Sequence, residues 1–219
     1  MDLSLIRRNW KGDQFAVHRL VQVEVQHYAK DESEQTVFDL ATKLLCMAFP
    51  QQQDERYGNR LSLCSKYIQH VFALRNNFLQ SGSGKRALRP SDSLCVLLRN
   101  ASWYCVEIHQ TRELGPTVQT AMDVARQMGF VDREPRHFAQ LCNCASRLWS
   151  QRGNFDKGLE LMLECKEIRE RINADAWSAV NNLGNIYSAR AMPNSHWKHM
   201  NNVQHCMEAK QKCHAMCSV

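Results

Sequence analysis

Residues 140–190 contain a helical pattern that recurs after a glycine-containing turn. Apolar side chains recur at i, i+3 and i+4 spacing before Gly153 and again after Phe155. Gly153 suits the end of one helix, and the short polar turn around it separates the two helical segments. A related segment containing Leu183 and Tyr187 follows. Helical hairpins that recur along a chain are typical of a solenoid, in which each hairpin buries its apolar face against its neighbours.

The hairpins share a register of about 40 residues, within the range of known helical repeats. Tyr104, Ala145 and Leu183 occupy equivalent positions of three successive first helices, and they are 41 and 38 residues apart. Val124 and Cys165 match in the second helices and are also 41 residues apart. Neighbouring hairpins are therefore expected to stack in series.

The register predicts about three hairpins across residues 92–219. The first is expected to turn at residues 112–116, which would place Pro116 at the start of its second helix and Gly129 at the end. The second is expected to begin near Pro135. The third is imperfect, because its turn lacks the glycine and aromatic pair. Its first helix is expected to carry four apolar side chains on one stripe: Val180, Leu183, Ile186 and Tyr187.

The first 17 residues carry the pattern of a β-hairpin. Two short apolar runs flank Gly12 and Asp13, residue types that favour a tight turn. An amphipathic helix is expected to follow, from His18 to about residue 30. Residues 1–30 are therefore treated as one unit.

Residues 31–80 are expected to form a helical arm. Apolar residues at helical spacing predict helices at about 34–48 and 55–79. The serine- and glycine-rich stretch 81–86 has the composition of a flexible linker. We therefore place a domain junction between the arm and the repeats.

The composition argues against several classes of protein. Of the 219 residues, 44% are hydrophobic and 23% are charged, which is ordinary for a globular chain. No apolar run approaches the roughly 20 residues of a membrane-spanning helix, and the start lacks the pattern of a signal peptide. The net charge is +6, but the Lys and Arg residues are scattered rather than concentrated in a stripe. We therefore expect a cytoplasmic protein that binds neither membrane nor nucleic acid.

Ten cysteines raise the question of metal binding or cysteine catalysis. Cys142 and Cys144 would point to different sides of a helix. The carboxyl-terminal end holds a denser group of candidate ligands: His205, Cys206, Cys213, His214 and Cys217. That spacing fits a zinc site or a stripe of buried, reduced thiols. Cys105 and His109 are four residues apart, but Cys105 belongs to the predicted packing stripe. We expect no catalytic site, no cofactor and no metal.

Two motifs resemble those of a known repeat family. Leu183-Gly184-x-x-Tyr187 and Gly153-x-Phe155-x-x-Gly158 are similar to the Leu-Gly-x-x-Tyr and Gly-x-Tyr-x-x-Ala patterns of tetratricopeptide repeats. Residues 92–213 resemble the longer arrays of the kinesin-light-chain type. The resemblance implies an all-α, tetratricopeptide-like solenoid that binds a protein or peptide in a groove lined by its first helices. On the register above, the groove residues are Arg99, Ser102, His109, Gln140, Asn143, Arg147, Gln151, Asn181, Asn185 and Ser188.

The amino-terminal part resembles a second family. Residues 5–22 are similar to the end of the winged-helix subdomain of NB-ARC (STAND-class) signalling NTPases of the fungal NLR-like type, and residues 41–50 to the helical segment that follows it. The resemblance implies a small winged-helix remnant made of a short β-hairpin and a helix. It also makes His18 the counterpart of a nucleotide-sensing histidine, although Arg19 departs from that motif. No phosphate-binding Gly-x-x-x-x-Gly-Lys-Ser/Thr loop is present, so a role for His18 would be vestigial.

These observations favour a non-catalytic protein–protein interaction scaffold. It would correspond to the carboxyl-terminal sensor and repeat half of an NLR-like STAND protein that lacks the NTPase core, alone or as a fragment. The expected partner is a protein or a peptide, with self-association through the uncapped carboxyl-terminal repeat as a further interaction. The alternatives are a truncated or decayed gene product without an independent role, and a cysteine-dependent enzyme.

Overall fold

A computed structural model describes six stretches of the chain: residues 6–9, 14–17, 32–52, 57–82, 87–174 and 176–191. The β-hairpin predicted at the amino terminus is present. Strand β1 (Ile6–Asn9) pairs in antiparallel fashion with β2 (Gln14–Val17), and Ile6 lies opposite Val17. The helix expected from His18 and the cysteine- and histidine-rich end lie outside the described residues.

Apart from β1 and β2, the described residues form only helices and their connections, so the all-α class is confirmed for this part of the chain. The arm contains α1 (Glu32–Ala48) and α2 (Leu61–Gln80), and a short 3-10 turn (Gly58–Arg60) leads into α2. The remaining helices are α3 (Asp92–Glu107), α4 (Thr111–Gln127), α5 (Phe130–Arg133), α6 (Pro135–Gln151), α7 (Phe155–Arg171) and α8 (Trp177–Ala191).

The first hairpin turns earlier than its sequence predicts. Since α3 ends at Glu107 and α4 begins at Thr111, the prediction of a turn at residues 112–116 is wrong, and Pro116 lies inside α4. His109 makes the turn by adopting a left-handed conformation, with φ 56°. Pro116 is exposed and is the sixth residue of α4, so the helix lacks the hydrogen bond that an N–H at this position would make to Arg112 O. Gly129 follows the end of α4 with φ 69°, as predicted.

The helices pack in series. Helices α3 and α4 form one antiparallel pair and α6 and α7 the next, and α6 also contacts both α3 and α4. Helix α8 then packs on α7. The arm follows the same scheme, because α1 packs on α2 and α3, and α2 packs on α3 and α4. The arm therefore adds one more hairpin to the stack.

One apolar core extends from Phe38 in α1 to Ile186 in α8, across the stretch interpreted as a linker. An ion pair reinforces this junction. Arg75 of α2, only 4% exposed, places Nη2 3.0 Å from Glu113 Oε2 and donates from Nη1 to Thr117 Oγ1 at 2.6 Å. The arm and the first repeat are thus joined by both apolar and polar contacts.

Helix α8 buries only part of its apolar surface. Leu183 and Ile186 are buried as predicted, whereas Val180 and Tyr187 are 43% and 52% exposed. These two side chains, seven residues apart, form an exposed face of α8. If the chain self-associates through its last repeat, as predicted, this exposed face is the described surface that would be buried. Among the helices described, none combines the length and the apolar character needed to cross a bilayer.

Candidate interaction face

The predicted groove residues belong to the first helix of each hairpin, α3, α6 and α8, or to the turn after α3. We call the surface that they define the inner face. The structure divides them into two groups by exposure. Four are buried: Arg99, Ser102, Gln140 and Asn143. Five are exposed and one is half-buried: His109, Arg147, Asn181, Asn185 and Ser188, with Gln151 half-buried.

The expectation of an open groove along α3 is wrong, because the chain fills that part of the inner face itself. Residues 49–52, which leave α1, lie against α3 and α6. Gln140 Nε2 donates to Gln52 Oε1 at 3.0 Å, and Gln52 N donates to Asn100 Oδ1 at 3.4 Å. Arg60 Nη1 donates to Gln51 O at 3.1 Å. We call residues 49–52 and 57–60 together the inner segment.

A contact within α3 and a contact between α6 and α8 involve two further buried groove residues. Ser102 Oγ donates to Leu98 O at 2.8 Å, within α3 itself. Asn143 Oδ1 accepts from Asn182 Nδ2 of α8 at 3.3 Å. Asn143 therefore joins α6 to α8 in this structure, and its side chain is not presented to solvent.

An aromatic cluster anchors the inner segment. The rings of Phe49, Tyr57 and Tyr104 meet edge to face, with centroids 6.3 to 6.5 Å apart, and Phe49 and Tyr57 are each 1% exposed. Tyr57 Oη donates to Asn100 O at 3.0 Å. Burial raises the pKa of the Tyr57 phenol far above its usual range, so the hydroxyl stays protonated and remains a donor.

Glu107 fixes the other end of the inner segment. Its carboxylate accepts from Tyr57 N, at 2.8 Å to Oε1 and 3.0 Å to Oε2, and from Trp103 Nε1 at 2.7 Å. The carboxylate thus lies at the amino end of the turn Gly58–Arg60, where backbone N–H groups are free and negative charge is favourable. Sequence reasoning missed Glu107. Only its position four residues after Trp103 in one helix hinted at the pairing of these two side chains.

Within the described residues, the side-chain amide of Asn100 has one hydrogen-bonding atom paired and one unpaired. Its Oδ1 accepts from Arg99 Nε at 3.2 Å and Arg99 Nη2 at 2.7 Å, and also from Gln52 N. These partners are all donors, which fixes the orientation of the amide. Its Nδ2 is fully buried and has no hydrogen-bond partner among the described residues. An unmatched buried donor costs about 1–3 kcal/mol, so the inner segment fills this place imperfectly.

The rest of the inner face carries amides, a serine, a histidine and one arginine, Arg147. Neither α6 nor α8 contains an aspartate or a glutamate. Their charged residues are Arg136, Arg147 and Arg190, and Arg190 pairs with Asp156 of α7 at 2.8 Å. Such a surface suits the carbonyl and carboxylate oxygens of an extended chain.

The cysteine–histidine pair does not form a reactive site. Cys105 is fully buried, and burial raises the pKa of its thiol to about 12, so almost no thiolate exists at neutral pH. His109 lies beyond the end of α3 and is exposed, so the two residues do not share a helix face. Within the described ranges, no group of three or more His, Cys, Asp or Glu side chains could hold a metal ion. The candidate ligands near the carboxyl terminus lie outside those ranges.

Comparisons with known proteins assign no family. No protein-family model, curated protein or solved structure matches this chain. The two resemblances therefore depend on the motifs quoted for them and on the packing described above.

Proposed function

We propose that this protein is a non-catalytic protein–protein interaction scaffold whose inner face binds extended segments of other proteins. One observation carries the proposal: a non-helical stretch of protein, residues 50–52, already lies on this face in cis, directly after the end of α1. It is bonded to the amides of Asn100 and Gln140, which come from the first helices of successive hairpins. The chemistry of the face is therefore suited to a peptide backbone and its polar side chains.

The surface for an incoming partner is the half of the inner face that the chain leaves exposed. It comprises Arg147 on α6 and Asn181, Asn185 and Ser188 on α8, with half-buried Gln151 at its edge. Amides pair with peptide groups, and arginine pairs with carboxylates. The absence of acidic residues from these two helices favours a segment that carries carboxylate groups.

The wider setting proposed for this scaffold follows from the resemblances. The series packing of hairpins supports a tetratricopeptide-like solenoid, and the β1–β2 hairpin is compatible with the wing of a winged-helix remnant. We propose that the chain corresponds to the sensor and repeat half of an NLR-like STAND signalling protein, without its NTPase core. In this proposal His18 has no nucleotide to contact, because the NTPase core that would bind one is missing.

The test is partner capture by the double variant Arg147→Ala/Asn185→Ala. We expect cross-linked partners from a cell extract to fall about tenfold, since contacts at the centre of a small interface carry most of its affinity. The free energy of unfolding should stay within about 0.5 kcal/mol of wild type, because both residues are exposed. Partners identified by mass spectrometry are then retested as purified proteins.

The matched control is Glu160→Ala/Glu167→Ala, two exposed positions on the second helix α7. It should capture the same partners as wild type. Equal capture by both double variants would refute the assignment of the inner face as the binding surface.

A further inference from the structure

We propose that residues 49–52 are a built-in, displaceable ligand of the inner face at α3 and α6, and that a partner segment of similar chemistry competes for their place. This inference rests on the proposed function, because it takes the same face as the binding surface. The competing segment would carry an aromatic side chain and, three residues later, an uncharged hydrogen-bonding residue, as Phe49 and Gln52 do.

The aromatic requirement follows from the surroundings of Phe49. Its ring meets those of Tyr57 and Tyr104 edge to face, each with centroids 6.3 Å away. Tyr57 is held independently, through its backbone N–H on the Glu107 carboxylate and its hydroxyl on Asn100 O. The two tyrosines therefore keep a pocket for a flat apolar side chain if Phe49 withdraws.

At the amide end of the inner segment, the hydrogen bonds described here join neutral groups. Gln52 has a neutral amide–amide bond of 3.0 Å to Gln140 and a backbone bond of 3.4 Å to Asn100. The bonds at Tyr57 involve a carboxylate and are as short as 2.8 Å, and bonds to charged groups are the stronger kind. In the proposed displacement the segment opens at Gln52, while Tyr57 stays in place.

Asn100 supplies a separate argument for a competing ligand. Its buried Nδ2 donor is unmatched among the described residues while residues 49–52 are bound. A segment that places a carbonyl or side-chain oxygen at this point would satisfy the donor and bind better than the cis segment. Residues 49–52 are themselves uncharged, so the competing segment patterned on them is uncharged as well.

The test uses a labelled, capped peptide with the sequence of residues 47–52 and the full-length chain, with binding followed by fluorescence anisotropy. We expect Gln52→Ala to bind this peptide about tenfold more tightly than wild type, because loss of the Gln140 bond frees the site more often. Gln51→Ala is the matched control. Its side chain is exposed and its carbonyl, which accepts from Arg60, is unchanged, so it should bind as wild type does.

Hydrogen exchange on the wild-type chain gives a second readout that needs no variant. Saturating peptide should accelerate exchange of the Gln52 amide several-fold and leave the amide of Met162 in α7 unchanged. The same peptide with alanine in place of phenylalanine should have neither effect.

Equal affinity of Gln52→Ala and Gln51→Ala, or unchanged exchange at Gln52 in the presence of saturating peptide, would refute displacement. Such a result would leave capture through Arg147 and Asn185 intact if the scaffold proposal is correct. Equal capture by Arg147→Ala/Asn185→Ala and by its control would instead refute the scaffold proposal itself, so the two failures are distinguishable.

Discussion

Glu107 joins two parts of the chain that are far apart in sequence. Its carboxylate at the end of α3 accepts from Tyr57 N, 50 residues earlier, and from Trp103 Nε1 one turn earlier. The first bond satisfies a free N–H at the start of the turn that leads into α2, a position where an acidic group is favourable. One side chain thus caps the arm and orients an aromatic residue of the first repeat.

Glu107→Gln should therefore destabilise the protein without changing its shape. Glutamine keeps one acceptor oxygen but loses the charge and the second contact with Tyr57 N, so we expect a loss of about 1 kcal/mol in urea unfolding at pH 7. Glu160→Gln, at an exposed position of α7, is the control and should change stability by less than about 0.5 kcal/mol. Similar losses in both variants would show that charge at Glu107 has no special role.

At the residue scale, the sequence register does not report which of the predicted groove residues are exposed. The 41-residue register pairs Arg99 of α3 with Gln140 of α6, and both side chains are buried. It contains no information about what covers them. Gln52 is 48 residues from Asn100 and 88 residues from Gln140, and no local pattern reports a contact over such distances.

The pair α6 and α7 depends on small residues at its closest approach. Ser146 Oγ of α6 donates to Gly158 O of α7 at 2.6 Å, and Ser150 Oγ donates to Ser146 O at 2.9 Å. A Cβ added at Gly158 would lie 2.6 Å from Ser150 Oγ and 3.3 Å from Ser146 O. The second of these atoms belongs to a helix backbone and cannot move independently.

Gly158→Ala should accordingly lower the free energy of unfolding by about 1–3 kcal/mol, the usual cost of overpacking. Gly184→Ala provides the opposite case, since no atom lies within 4 Å of the added Cβ on α8. That variant should gain about 0.5–1 kcal/mol, because alanine favours helix over glycine. Adding Ser150→Ala to Gly158→Ala should restore part of the loss. Thermal melts would contradict this account if both glycine variants gained stability.

At the element scale, a turn is predictable when its conformation requires a particular residue. Gly153 has φ 81° and lies in the α6–α7 turn, where its residue type favours such a conformation. The α3–α4 turn instead uses His109 at φ 56°, a conformation that histidine indicates far less strongly than glycine does, and the nearby Pro116 suggested a later start for α4. The four-residue helix α5 was also missed, because so short a segment has no measurable periodicity.

At the scale of the whole molecule, the arm behaves as the first member of the stack. Its two helices contact α3 and α4 in the way that α3 and α4 contact α6, and the apolar core continues through all of them. The linker composition of residues 81–86 predicted a junction between domains. Composition reports local stiffness, whereas the continuity of a core depends on contacts between helices that the linker merely connects.

Arg75→Met tests whether the arm and the repeats unfold as one unit. It removes the buried partner of Glu113 and Thr117, and we expect a loss of about 2–4 kcal/mol, somewhat below the usual cost because Glu113 is partly exposed. Unfolding can be followed by tryptophan fluorescence, with contributions from Trp103 in α3 and Trp149 in α6, and by far-UV circular dichroism. The midpoints of the two transitions should shift by the same amount. The control Arg190→Met breaks an exposed ion pair of 2.8 Å and should cost less than about 1 kcal/mol. The arm would be a separate domain if Arg75→Met shifted only a small part of the dichroism transition and left the fluorescence transition as in wild type. Coincident shifts are expected because one continuous core makes every later hairpin lose stability together with α2.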